Sequence, residues 1–516
     1  MIFGRLMTAK NITLNGSRIH IKDVISVAIH EKQIGLSNSK KFKKRIDDGA
    51  KLIQYNLKHE KEIYGVTTGL GDSCTRPVST KLMSQLPYNL VRFHGCGLGE
   101  LFDYQTSRAI LVAQLNSLSK GYSGIRREVM ERLVWFLNKK IVPAIPQEGS
   151  VGASGDLTPL SYVAAAVLGE RSVWENGKVV SVADCYERKS IGPLKLLPKE
   201  SLSLMNGTAV MTGVACMAYH RANYLAKLSC SLSALMVECL LGNRAHFDAR
   251  LFTAKPHPGQ VKAAKLISCS LFNTQSINYR IQDTYALRCA PAIIGVLFDA
   301  LEWVREWTET EINSACDNPL LDIASGDILH GGNFYGGHIA FAMDSLKNAV
   351  ANIADLIDRQ VALLLNDKRN RNLPLNLSGA DEDTLPANHG FKAVQIACSA
   401  WAAESLKNSM PASVFSRSTE SHNQDKVSMG TIAARDSIRT LELTEQVAAG
   451  AILASTQALD LRIKSGVIAR RDISKPVLNL YESIRAFSPM VIEDRPLDDD
   501  LKTLLIEMRK QSIPVL

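Results

Sequence analysis

No stretch of this chain stays apolar over the roughly 20 residues that a bilayer-spanning helix needs. The opening Met1-Ile2-Phe3-Gly4-Arg5-Leu6-Met7 lacks the long apolar core and small-residue cleavage site of a signal peptide, whether Met1 or Met7 is the start. These absences predict a cytoplasmic protein with no membrane partner. There is no C-x-x-C pair among the ten cysteines, which are scattered from Cys74 to Cys398. That argues against both a zinc cluster and a disulfide framework. Cys216, Cys230 and Cys239 fall in apolar stretches where a thiol packs as a small hydrophobe, so buried free thiols are expected. The common catalytic motifs are missing as well: no H-E-x-x-H, no G-x-x-x-x-G-K-[ST], no G-x-S-x-G. Gly95-Cys96-Gly97-Leu98-Gly99 misses the dinucleotide fingerprint and follows a helical pattern instead of a strand. Neither a metal nor a nucleotide cofactor is expected. The basic runs Lys40-Lys41-Phe42-Lys43-Lys44-Arg45 and Lys368-Arg369-Asn370-Arg371 come with no nucleic-acid module, and a net charge of +9 is mild for 516 residues. They read as solvated helix faces, not as a nucleic-acid surface.

What is present is mostly helix. Apolar spacing predicts helices between Tyr104 and Pro143, over Lys199–Leu241, Pro291–Ile312, Gly337–Leu365, Gly390–Asn408, Gly430–Arg462 and Lys475–Phe487. Their length and near all-round apolarity suit the middle of a large bundle. Strand signals are few: an Asn-Gly hairpin at Ile12–Ile21, followed by a helix that Asp23 opens, and a second Asn-Gly hairpin at Val173–Val180. With no linker and no short repeat, one continuous mostly-α body is expected. Within it, residues 1–200 form a loop-rich N-terminal region with a small hairpin, and 201–516 a long helical bundle.

One loop carries unusual chemistry. Ala153, Ser154 and Gly155 stand together just before the apolar run from Leu157. Their plain reading is a loop in which Asp156 caps the next helix. Their chemical reading is a backbone cyclisation. Attack of the Gly155 amide nitrogen on the Ala153 carbonyl carbon closes a five-membered ring. Loss of water there and of the Ser154 hydroxyl leaves a conjugated exocyclic methylene. Glycine leaves the nitrogen sterically free and alanine adds little bulk. The product is a soft electrophile that no ordinary side chain supplies.

Gly152-Ala153-Ser154-Gly155-Asp156-Leu157 resembles the signature of the aromatic amino acid ammonia-lyase and aminomutase family, which includes histidine, phenylalanine and tyrosine ammonia-lyases. The likeness continues through Tyr64-Gly65-Val66-x-Thr68-Gly69-x-Gly71, Asn206-Gly207-Thr208 and His257-Pro258-Gly259-Gln260. It runs on through Gln282-Asp283-x-Tyr285-x-Leu287-Arg288-Cys289, Asp317-Asn318-Pro319, His330-Gly331-Gly332-Asn333-Phe334 and Asn423-Gln424-Asp425-x-Val427-Ser428. The blocks stand in family order over most of the chain. The resemblance implies a mostly α-helical fold and a homotetramer whose active sites draw on three subunits. It also implies a 4-methylideneimidazole-5-one (MIO) group formed autocatalytically from Ala153, Ser154 and Gly155. By motif position, Tyr64 resembles the catalytic base on a lid loop, and Arg288 the clamp for the substrate carboxylate, whose two oxygens an arginine fork matches. Asn206, Tyr285, Asn333 and Gln424 resemble the groups that position the prosthetic ring and the substrate amine. Phe334 lines the site, and Gln282 falls among the substrate-binding residues. Removing a barely acidic β-hydrogen requires Tyr64 to be lowered from a pKa near 10, or desolvated.

Substrate choice falls to Phe93, His94 and Gln424. Histidine enzymes resemble Ser-His at the first pair with Glu where Gln424 stands. Phenylalanine enzymes resemble Phe-Leu, and tyrosine enzymes place a histidine at one of the two positions. The pattern here is mixed. Gln424 speaks against histidine, and His94 offers a phenol a partner, so L-tyrosine is the expected substrate, with trans-4-coumarate and ammonia as products. Histidine or phenylalanine elimination, a 2,3-aminomutase and a catalytically silent helical assembly protein are the alternatives. A fumarase-type lyase would need a serine-bearing loop in place of this block. Thr67, Leu70 and Pro87 stand where Asn, Phe and Gln are usual, which leaves lyase against mutase open.

Overall fold

The computed structural model describes residues 11–272 and 281–515; the opening Met1–Met7 segment lies outside the described residues. The fold is mostly α-helical, with short two- and three-stranded sheets between the helices. Among the described residues no helix is long and apolar enough to cross a membrane.

Most predicted helices appear: Gly337–Leu365 with the expected bounds, Ala290–Ile312, Gly430–Lys464 and Lys475–Arg485 with one end shifted, and Lys392–Lys407 with both. The Lys199–Leu241 pattern is instead two helices, Glu200–Met205 and Ala209–Cys239, parted at Asn206-Gly207-Thr208. The break has a local cause. The Asp156 carboxylate accepts from the Val210 and Met211 amides and the Asp156 N–H donates to the Gly207 carbonyl, so these backbone groups bond outside the helix.

The expected N-terminal hairpin is not formed. Ile12–Leu14 pairs in parallel with Ile34–Leu36, in the register Ile12 with Ile34 and Leu14 with Leu36, and the helix Ile21–Ala28 makes the crossover. The Asn15-Gly16 turn exists, with Ser17 N–H on Asn15 Oδ1 at 2.8 Å. Beyond it the Ile19 and Ile21 amides bond to Asn313 Oδ1 and Glu309 Oε1, so the chain has no free edge to fold back on Ile12–Leu14. Asp23 sits at the third helical position and accepts from the His20 N–H instead of opening the helix. The second hairpin forms as read, Ser172–Glu175 against Lys178–Ser181, with Asn176 and Gly177 both at positive φ as a type I′ turn requires.

The chain divides into two compact units. The first comprises residues up to Met217, Arg305–Met343 and Pro411–Arg435; the second Ala218–Val304, Asp344–Met410 and Asp436–Leu516. In the second, a bidentate Arg221–Glu445 pair ties helix to helix, with N···O distances of 2.9 and 2.8 Å. Gly450 lets Cys398 pack closely, since a Cβ there would collide with its thiol. Arg462, buried, donates to the carbonyls of Cys239, Asn370 and Arg371. All ten cysteines are free; Cys216, Cys230 and Cys239 are buried as expected, whereas Cys74, Cys96 and Cys269 are exposed. The Lys40–Arg45 run lies on the Lys40–Lys58 helix with Lys41, Lys43 and Lys44 exposed around a buried Phe42, a solvated helix face. Lys368–Arg371 lies in a turn after the Gly337–Leu365 helix, not on a helix face.

Candidate active site

The Ala153-Ser154-Gly155 loop is held from two sides. Gly155 forms a parallel bridge with Gly207, and the Asp156 N–H donates to the Gly207 carbonyl at 2.8 Å. Gly155 sits at φ +67, and a Cβ there would drive into the Gly207 backbone. Glycine at the third position is therefore a steric requirement of the fold as well as of any attack by its nitrogen. On the other side, Ser428 Oγ and the Met429 N–H donate to the carbonyls of Gly152 and Val151 at 3.0 and 2.9 Å.

Asp156 stands at the N-cap of Leu157–Val167 but makes no side-chain cap there. It is fully buried, and its Oδ2 accepts the Val210 and Met211 amides at 3.0 and 2.9 Å. It therefore caps the Ala209–Cys239 helix, where a carboxylate meets the positive end of the dipole. Its Oδ1 accepts from the Thr431 hydroxyl and, at 3.4 Å, from Ser150. Burial pushes its pKa up to about 6 while these donors pull it down, so it is ionised at neutral pH.

Above this loop lies a cavity of about 590 Å³, lined by Tyr64, Phe93, His94, Ala153, Ser154, Asn206, Phe334 and Gln424 among the residues anticipated from sequence. Gly155 is buried behind the wall. Asn333, exposed, does not line the cavity and donates to the Ala315 carbonyl at 3.3 Å. Gln282, Tyr285 and Arg288 belong to the second unit and do not line it either. There the Arg288 guanidinium lies 4.6 Å from the exposed Tyr285 ring, and its Nε donates to the Asp283 carbonyl. Sequence reading passed over Glu420, Lys426 and Tyr335, which also line the cavity, as does Leu70, noted only as a departure from the lid motif. They sit in loops, where no periodicity marks a residue as inward-facing.

The polar groups have fixed roles. Tyr64 Oη accepts the Gly71 N–H at 2.7 Å. Burial raises the Tyr64 pKa above its ordinary value, with Glu420 pushing the same way and the Gly71 bond opposing. Tyr64 is thus desolvated but not lowered. His94 Nδ1 bonds the Leu90 carbonyl at 3.0 Å, and since a carbonyl only accepts, Nδ1 carries the hydrogen. Burial holds the ring below its ordinary pKa, so it is neutral and Nε2 is its acceptor. Gln424 Oε1 accepts from Thr419 Oγ1 at 2.9 Å, which leaves its NH2 as the donor group. Asn206, buried, donates to the Asn318 carbonyl at 2.9 Å while its Oδ1 has no protein partner. The buried unpaired Asn206 Oδ1 suits a substrate amine, and the second hydrogen of its NH2 suits the carbonyl of a ring formed beside the wall of small residues. Among the described residues no cluster of three or more His, Cys, Asp or Glu could hold a metal ion.

The residues from 19 to 486 match the profile of the family described as aromatic amino acid lyase. A histidine ammonia-lyase from Treponema denticola is 35% identical over 502 residues, 97% of each chain. A histidine ammonia-lyase from a Geobacillus species is 35% identical over 495 residues, 95% of each. Among solved structures, the tyrosine aminomutase from Streptomyces globisporus superposes with a TM-score of 0.90 at 32% identity, covering 98% of both chains. A profile and relatives that span nearly the whole chain, around a cavity walled by Ala153 and Ser154, make this protein a member of the aromatic amino acid lyase family and a carbon–nitrogen lyase.

Proposed function

We propose that the chain is an MIO-dependent ammonia-lyase that eliminates ammonia from L-histidine to give urocanate, with L-tyrosine as the second reading. The observation that carries the proposal is that Tyr64, the Ala153–Ser154 wall and the His94 and Gln424 side chains open onto one cavity. The family uses MIO. Here Ala153, Ser154 and Gly155 would form it and Asn206 would hold it. When present, it supplies an electrophile for the substrate amine. The rest falls to this chain's side chains. Tyr64 Oη takes the β-proton, and its desolvated setting keeps water from competing for it. His94 Nε2 and the Gln424 NH2 recognise the ring: a neutral imidazole offers one N–H donor and one nitrogen acceptor, the complement of that pair.

Histidine leads because the relatives just described are histidine ammonia-lyases. Tyrosine is kept because Gln424 is a neutral amide, which a phenol also satisfies, and because a tyrosine aminomutase shares the fold at 32% identity. Phenylalanine would leave both polar groups unpaired, at about 1–3 kcal/mol per group, or roughly 5- to 150-fold in kcat/KM. The lining includes no arginine. The proposal therefore extends to a homotetramer in which the Arg288 fork, with Tyr285, is brought to the cavity on assembly and grips the substrate carboxylate.

Steady-state kinetics with the three amino acids, followed through the ultraviolet bands of their acrylates, test this. Histidine is expected to give the highest kcat/KM and phenylalanine the lowest. Turnover of tyrosine alone would replace the first reading by the second. A β-amino acid in place of an acrylate would make the enzyme a mutase.

A further inference from the structure

Glu420 makes contacts that substrate recognition leaves unexplained. Its two carboxylate oxygens both accept the Asp72 N–H, at 2.9 and 3.0 Å. The carboxylate occupies the space where Gly71 lacks a Cβ, and Gly71, at φ +58, in turn donates its N–H to Tyr64 Oη. One carboxylate thus grips the loop one residue away from the amide that holds the phenol.

The turn that presents Glu420 is unusual in its own right. Glu420, Ser421 and His422 stand at φ +53, +54 and +64, three successive side-chain-bearing residues in the left-handed region. L-residues enter that region at a cost and seldom in series. Such a turn persists only where its surroundings hold it. Here Thr419 and Gln424 close it by exchanging backbone bonds of 3.0 and 3.2 Å, and Ser418 Oγ meets His422 Nδ1 at 2.7 Å. Thr419 also fixes the Gln424 side chain. The same turn therefore sets the amide that faces the substrate ring and the carboxylate that faces the Tyr64 loop.

We propose that Glu420 is a positioning residue: it latches the loop of residues 63–75 across the cavity and thereby holds Tyr64 at the Ala153–Ser154 wall. What Tyr64 does there rests on the lyase reading; the latch does not. A carboxylate suits the task, since an N–H bond to a charged acceptor is about twice as strong as a neutral one. The contact lies at the exposed rim, so it can open without stranding a buried charge. The negative charge of Glu420 works against ionisation of Tyr64, so what it contributes to Tyr64 is geometric and not electrostatic.

Amide hydrogen exchange on the full-length protein, read beside kinetics, tests this. In Glu420→Ala the Gly71 and Asp72 amides are expected to exchange at least tenfold faster, and kcat to fall at least tenfold with little change in KM. Glu420→Gln, which keeps an acceptor oxygen, should recover most of both. Asp72→Pro, which removes the gripped N–H from the other side, should reproduce the kcat loss. It also keeps the test alive should Glu420→Ala fail to fold. Unchanged exchange in Glu420→Ala overturns the latch. Faster exchange with unchanged kcat overturns the positioning of Tyr64. A wild type inactive on every amino acid overturns the lyase reading instead, and the exchange measurement still decides the latch.

Discussion

His94 and Tyr64 are where single atoms decide the outcome. In the proposed function His94 recognises a ring through a lone pair on Nε2, which exists because Nδ1–H is committed to the Leu90 carbonyl. His94→Leu removes that acceptor and is expected to lower kcat/KM for histidine and tyrosine by roughly 5- to 150-fold while sparing phenylalanine. Equal losses for all three substrates, in the same kinetic assay, would contradict the assignment. Tyr64 acts as a base only when deprotonated, and burial raises its pKa. Activity should therefore climb with pH beyond neutrality, and a kcat/KM profile falling from pH 7 upward would speak against Tyr64 as the base. Tyr64, Ser154 and Gln424 were legible in the sequence because each sits in a short block that resembles the family's, the first two around glycines. Glu420 was not: its role comes from a left-handed turn that brings it to Gly71, 349 positions earlier in the chain, and no local pattern encodes that approach.

At the level of elements, the loop and the split helix form one device. Asp156 caps Ala209–Cys239, and Gly207 at the helix break backs Gly155. The break was invisible in the apolar pattern because residues on both sides are buried, so periodicity runs straight through it. The N-terminal hairpin misled for the opposite reason: the Asn-Gly turn is real, but its second arm finds better partners in Asn313 and Glu309. Gly155→Ala forces a Cβ into Gly207 at positive φ, at a cost of at least about 1–2 kcal/mol before the collision is counted. It should lower the melting temperature and leave the loop uncyclised by mass. The Asp156 carboxyl has a folded pKa of about 6 against 3.8 for the free group. A raised value means that folding favours the protonated form, so this contribution is fully present below about pH 4 and is lost as pH rises through about 6. Asp156→Asn keeps an acceptor for the Val210 and Met211 amides without the charge. Thermal unfolding across that range should therefore shift in favour of the variant as pH rises, and a shift in favour of wild type would refute the linkage.

For the whole molecule, the helical class and most long helices could be read from the sequence, since 3.6-residue periodicity survives without tertiary information. The two discontinuous units could not, because they are assembled from segments hundreds of residues apart. If active sites are shared between copies, Tyr64→Phe and Arg288→Ala are each inactive alone but complementary together. Co-expressed in equal amounts, they should restore about a quarter of the sites by random assembly. No recovery, in mixed tetramers verified by native mass, would place both residues in the site of a single chain. The expectations about turnover presuppose an electrophile built from the backbone at Ala153-Ser154-Gly155. Its most direct test is the mass of the proteolytic peptide that carries this loop. The account predicts a wild-type peptide lighter by two water molecules and a Ser154→Ala peptide of full weight; a full-weight wild-type peptide would contradict it.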